Sequence, residues 1–338
     1  MRLIDLHVDW LLQYAPETTV FDPAFYPEII GRIAQLSGYL QSTRAAILSC
    51  YRRPEEWSAV ADPWPALKDL ITRIEAEFPG RLLITPDDFN RWQDDRDGLA
   101  WGLIGVEGFD ALVRSTDDLD WLPKLFDRGV RLFQPVDGSS SLLGGSSAQH
   151  DDRGLTDLGS AFLDTLANAQ TGGSGPRPML DLAQTNPRTM TDILDWYEAD
   201  PSRVPVLLPV YSHGAPVRLG YDSPRSITHD NLRRLRALGG FVGISVSPPF
   251  FDSPIQVEEA IRAVASIPYL GREGFEGIAI GTDFMGVEQT LPGLENAGKV
   301  VAWLLDRFDR PTARALTSEN ALGLIETSLG MDQPATRV

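Results

Sequence analysis

A single cysteine, Cys50, stands in a chain of 338 residues, which excludes a disulfide framework and a cysteine-rich zinc module. Histidine is nearly as scarce, with four in all, so any metal would have to be held by a few imidazoles together with carboxylates. Basic residues are in the minority, 30 against 47 acidic ones, for a net charge of −17. That balance disfavours binding of nucleic acid or of an anionic membrane surface through bulk electrostatics. No apolar run approaches the ~18 residues that a membrane-spanning helix needs, and the first residues lack a basic stretch followed by an apolar core. The expectation is a cytoplasmic protein without nucleic-acid or membrane partners. No long Pro/Gly/Ser linker divides residues 1–338, which fits one barrel domain of this length.

What the chain does have is a regular alternation. Short apolar runs at Arg2–Val8, Ala45–Ser49, Leu103–Val106, Val130–Phe133, Met179–Leu182, Val206–Val210, Phe241–Val246 and Gly277–Gly281 read as eight strands. Between them lie helical spacings at Trp64–Phe78, Leu119–Arg128, Asp157–Ala167, Thr189–Ala199, Thr228–Leu238, Val257–Ser266 and Ala297–Phe308. The runs are mostly continuous rather than alternating, as in parallel strands buried on both faces. Eight strands alternating with helices predict an α/β fold, a (β/α)8 TIM barrel, whose functional residues gather at the C-terminal ends of the strands. A further β-type run at Leu82–Ile84, before Pro86-Asp87-Asp88, is read as an extra strand outside the barrel, and a helical segment ends the chain.

The predicted strand ends carry a coherent set of polar residues. Strand one ends in Asp5-Leu6-His7-Val8-Asp9. Strict alternation would put His7 and Asp9 on one face, about 7 Å apart along the strand, and Leu6 and Val8 on the other. Strand three supplies Glu107, strand six His213 and strand eight Asp283. Taken singly, each has an ordinary reading, since a carboxylate after a strand is often solvated or caps a helix. Two of four histidines and three carboxylates at barrel strand ends together predict a metal site. The Gly/Ser-rich stretch Gly138–Ser147 reads either as a mobile loop over the mouth or as an ordinary surface loop.

The motifs DLHVD (5–9), GVEG (105–108), GVRLF (129–133), RGLTDLG (153–159), LDLAQ (180–184), SHG (212–214), SPRSITHDNL (223–232), GTDFMGV (281–287) and SENALGLIE (318–326), in this order, resemble the membrane dipeptidase (peptidase M19) family of the amidohydrolase superfamily. The resemblance implies a metal-dependent hydrolase of dipeptides, with two zinc ions bridged by a glutamate. It implies His7 and Asp9 as ligands of the first metal, Glu107 as the bridge, His213 as a ligand of the second, and Asp283 as general base. It also implies that Arg225 pairs with the substrate's carboxylate through a planar two-bond fork. A homodimer is the family's common state.

Three positions depart from the family pattern. Gln184 stands where a second-metal histidine is expected, and a neutral amide is a poor zinc ligand, so one tightly bound zinc is expected and a second only weakly. Asp137 stands in place of a substrate-contacting histidine, with His150 in the same loop as a weaker candidate for that role, and Met285 replaces an acidic residue. Two alternatives follow: a catalytically impaired barrel acting as a binding protein, or a hydrolase of N-acyl amino acids or lactones.

Overall fold

The computed structural model describes residues 1–14, 34–53, 56–57, 59–95, 98–137, 142–147, 152–169, 175–217 and 225–331. Eight parallel strands close into a barrel in sequence order: β1 Leu3–Val8, β2 Thr43–Cys50, β3 Trp101–Glu107, β4 Val130–Gln134, β5 Met179–Asp181, β6 Leu208–Tyr211, β7 Phe241–Ile244 and β8 Ile278–Ile280. All eight expected runs therefore form strands, and the chain has the predicted (β/α)8 barrel fold. Among the described residues no helix is long and apolar enough to cross a membrane.

The connecting helices begin where the local chemistry starts them. Asp62, Asn186, Thr228 and Asn296 each accept, through their side chains, a backbone N–H of the first turn of the helices Pro63–Glu77, Pro187–Ala199, His229–Ala237 and Ala297–Arg307. Proline at the first helical position of Pro63–Glu77 and Pro187–Ala199 adds a fixed φ where its missing N–H costs no bond. The helix Pro86–Asp94 lies outside the expected helical spacings. Thr85 and Asp88 form a reciprocal capping box that opens Pro86–Asp94, so Pro86-Asp87-Asp88 starts a helix rather than merely ending a strand. The run Leu82–Ile84 before it makes one isolated parallel bridge, Leu82 to Gly102, instead of a strand.

Two apolar layers result. Leu3, Ala46, Leu48, Ile104, Val106, Phe133, Leu180, Val242 and Ile280 pack outward against the helices. Ile4, Leu6, Ala45, Ile47, Trp101, Leu103, Leu132, Met179, Leu208, Val210 and Ala279 fill the barrel interior. Ala321, Leu324, Ile325 and Leu329, from the helix Asn320–Ser328 and the residue after it, belong to the interior layer, as do Phe89 and Trp92. The interior is thus stoppered at the N-terminal ends of the strands and left to polar residues at the C-terminal ends.

Closure falls on the seam between β1 and β8, which share a single register pair, Asp5 with Ile280. The buried Asp5 carboxylate strengthens it by accepting from Thr282 N (2.9 Å), Thr282 Oγ1 (2.7 Å), Tyr39 OH (2.8 Å) and His7 N (3.3 Å). Small residues are required beside it. A Cβ on Gly281 of that turn or on Gly243 of β7 would stand 1.9 and 1.7 Å from the Ser212 carbonyl oxygen, a backbone atom that cannot yield. Asp5→Ala should leave several buried donors unpartnered at about 1–3 kcal/mol each. A fall in the denaturant midpoint larger than that of Tyr39→Phe is the expected result, and equal midpoints would show that the seam does not depend on this carboxylate.

Candidate metal centre

On five strands the interior-facing row of side chains turns polar beyond the apolar layer. Ile47 is followed by Ser49, Leu132 by Gln134, Met179 by Asp181 and Val210 by Ser212, while Leu103 leads through Gly105 to Glu107. All of these polar residues are buried. They line the floor of a site whose centre is His7.

His7 reaches that floor by a break in the expected alternation. Leu6 packs in the interior layer but Val8 in the outer one, so the two do not share a face. The pairing of β1 with β2 shifts register between Asp5 and Val8, setting three steps of β1 against two of β2. Such a bulge re-aims side chains at the rim of a barrel. His7 and Asp9 then converge, with His7 Nε2 at 3.6 Å from Asp9 Oδ1, 3.1 Å from Glu107 Oε2 and 4.0 Å from Asp283 Oδ1. The strand ends are laced together above: Asp283 N donates to the His7 carbonyl (3.1 Å) and Asp9 N to that of Phe284 (3.0 Å).

His7 Nε2 and Asp9 Oδ1 are buried and make no hydrogen bond of regular geometry among the described residues. One ligand atom each from His7, Asp9 and Glu107 lies within 4.8 Å of the other two, and the same holds for His7, Asp181 and His213. Unpartnered buried donor and acceptor atoms aimed at a common point are what a metal centre leaves when only its ligands are considered. Glu107 is oriented by Gln134 Nε2 (3.0 Å) and Ser49 Oγ (3.3 Å). Ser212 Oγ donates to Asp181 and approaches His213 Nδ1 (2.9 Å) and His7 Nδ1 (3.4 Å), supporting both rings from behind. Second-layer partners of this kind fix ring orientation at metal sites.

The electrostatics show an excess of acid. Burial opposes ionisation of Glu107, yet the neighbouring His7 charge brings it down to about 2. Burial and the Glu107 charge push Asp9 up to about 6. Asp283 is raised well above the carboxylate range by burial and then by Asp9 and Glu107. His7 is driven well above its ordinary value by Glu107 and Asp9 despite its burial, whereas burial and the His7 charge hold His213 well below. The cluster thus draws a proton onto His7 as counter-charge, a place a divalent cation would take with release of that proton.

The other side of the site differs. Gln184 Nε2 lies 3.1 Å from His213 Nε2, and Gln184 adopts a left-handed φ of 65°. Its backbone carbonyl oxygen accepts from Ser147 N (2.8 Å). Asp283 and Met285 also hold positive φ, 58° and 69°. Strained backbone of this type is retained where surrounding structure over-determines it. Gly286 is required beside them, because a Cβ there would stand 2.0 Å from Asp9 Oδ2 and 2.8 Å from Asp283 Oδ1.

Six of the nominated residues, His7, Asp9, Glu107, Gln184, His213 and Asp283, are therefore brought together. Asp137 and Arg225 lie at their border. Asp137 is raised well above its ordinary value by burial and by Glu107, Asp110 and Asp9, and the Arg225 charge is felt at Asp137, Asp283 and His213. His150 and residues 138–141 of the Gly/Ser-rich stretch lie outside the described residues. Sequence reading overlooked Ser49, Gln134, Asp181 and Ser212, although each continues an apolar row at intervals of two.

The chain is 25% identical over 257 residues to Dipeptidase ataJ of Aspergillus terreus, covering 72% of this chain and 60% of that protein. It is 28% identical over 247 residues to Dipeptidase verJ of Clonostachys rogersoniana, covering 71% and 58%. The chain thus matches only about three fifths of the length of these curated relatives. Among solved structures, a metallo peptidase from Rhodobacter sphaeroides, liganded with a phosphinate mimic of the dipeptide L-Ala-D-Ala, superposes with a TM-score of 0.71 at 19% identity, over 97% of this chain and 99% of that one. Dipeptidase AC, a metallo peptidase of family M19, superposes with a TM-score of 0.69 at 21% identity, over 98% and 99%. At these identities the structural likeness speaks to the fold. The membrane dipeptidase (peptidase family M19) profile matches residues 3–332, and the chain belongs to that family.

Proposed function

We propose that this protein is a metal-dependent hydrolase of dipeptides or of similar small amides bearing a carboxylate. The observation that carries the reading is the convergence of Asp9, Glu107 and Asp283 within 4.0 Å of His7 Nε2, with His7 Nε2 and Asp9 Oδ1 buried and unpartnered among the described residues. Nitrogen and carboxylate donors in this number fit zinc. A zinc ion held there would polarise a carbonyl and lower the pKa of water towards ~7.

The chain's own residues supply the rest. Asp283, whose proton affinity burial raises, is suited in its ionised form to accept a proton from the attacking water and return it to the leaving amine. Arg225 would hold the substrate carboxylate through a bidentate pair. Asp137, also biased towards protonation, can donate a hydrogen bond that an ionised aspartate could not.

The second metal position fits poorly. Its donors would be Glu107, His213 and a neutral amide, Gln184, already in contact with the His213 ring. We infer one tightly held ion.

Purified with zinc, His7→Ala and Asp9→Ala should lose the bound metal while keeping their circular dichroism spectrum; full metal content in both would mean the site is misplaced. Gln184→His should raise zinc stoichiometry by one per chain, and an unchanged ratio would mean this side of the site is not a metal position. A screen of L,L and L,D dipeptides, extended to N-acyl amino acids and lactones, should reveal a substrate whose turnover falls at least ~100-fold in Asp283→Asn, the range of general acid–base catalysis. Absence of both metal and turnover would favour the binding-protein reading.

A further inference from the structure

At the opposite end of the barrel a cleft of about 480 Å³ is lined by Arg2, Arg44, Arg310 and Arg314 together with Gln93, Asp95 and Ser318. Arg2 precedes β1 and Arg44 is the second residue of β2, so the cleft lies at the N-terminal ends of the strands, away from the His7 centre. In a chain with 47 acidic residues and a net charge of −17, four arginines around one cavity are an unusual local reversal.

Their partners make it more so. Arg2 donates to the Gly98 carbonyl, and Arg44 donates to Gln93 Oε1 (3.0 Å) while its guanidinium lies 4.6 Å from the Trp92 ring centre. These contacts hold the groups in place but leave their charge uncompensated. Among the described residues, Arg314 alone of the four pairs with a carboxylate, that of Glu319. The one carboxylate of the lining, Asp95, accepts from Trp101 Nε1 (2.7 Å). Burial and the nearby Arg2 charge together lower the basicity of Arg44, as expected of guanidinium groups gathered without an anion between them.

The geometry points to a binding site for a small multivalent oxyanion, of the phosphate or carboxylate class, held by guanidinium forks from both ends of the chain. Guanidinium presents paired N–H donors that match either oxyanion bidentately. The volume falls in the range of small-ligand sites, ~300–1,000 Å³. The acidic surface elsewhere does not oppose binding at physiological salt, because charges beyond a Debye length of ~8 Å are screened while those in the cleft act at contact. The site is distinct from the His7 centre, since the two lie at opposite ends of the barrel.

Isothermal titration of the full chain in 0.15 M salt with inorganic tripolyphosphate, ATP and citrate tests this without reference to catalysis. Saturable binding at one site per chain is expected for at least one of them, and the ranking separates inorganic phosphate, nucleotide and carboxylate sources. Arg310→Gln combined with Arg314→Gln, both exposed positions, should weaken it at least tenfold with an unchanged melting temperature in the absence of ligand. Arg44→Lys, which keeps the charge and removes the fork, should weaken it as well. No saturable heat with any of the three anions, or equal affinity in the Arg310/Arg314 double variant, would overturn the proposal.

Discussion

The Asp5 carboxylate is the constraint on which the rest of the molecule rests. The barrel closes between β1 and β8 through the register pair Asp5–Ile280 and the parallel bridge Val8–Phe284 just beyond it, and a buried acid that accepts from Thr282, Tyr39 and His7 adds side-chain bonds between the two. The same bonds set the two strand ends that matter for chemistry. Thr282 directly precedes Asp283, and the bond from His7 N ties Asp5 to the bulge that turns His7 inward. Barrel closure and the site therefore share these bonds, and a defect in the first would appear in the second.

Above that seam the structure concentrates negative charge where water is excluded. Asp9, Glu107, Asp283 and Asp137 lie close enough that burial and mutual repulsion raise three of them, while His7 holds Glu107 ionised. Such a cluster is costly unless a cation completes it. The strained φ at Gln184, Asp283 and Met285, and the need for glycine at 286, show how tightly the backbone is drawn around the same point. The two halves of the site are unequal. One offers imidazole and carboxylates with free ligand atoms, whereas in the other an amide and an imidazole already satisfy each other.

Much of this was legible before any coordinates. Continuous apolar runs separated by helical spacings are enough to state a barrel, because strands buried on both faces leave little room for polar residues. The residues after those runs could be nominated because barrel sites gather at strand ends. Less legible were contacts that depend on a single residue's offset. Strict alternation misassigned Leu6 and Val8, since a bulge in β1 changes the face between them. Leu82–Ile84 reads as an extra strand, yet it makes one isolated bridge, and Thr85 and Asp88 cap a helix directly after it.

The amino-acid sequence by itself determined the number and order of strands, the helix starts at Asp62, Asn186, Thr228 and Asn296, and the identity of the metal-competent side chains. These are local matters of periodicity, capping and residue chemistry. Tertiary structure alone decided that Ser212 and Asp181 support the two histidines from behind, that Gln184 meets His213, and that Arg2 and Arg44 share a cleft with Arg310 and Arg314. Such pairs are brought together by barrel closure across many residues, and no local pattern records which distant side chains a closed sheet will set side by side.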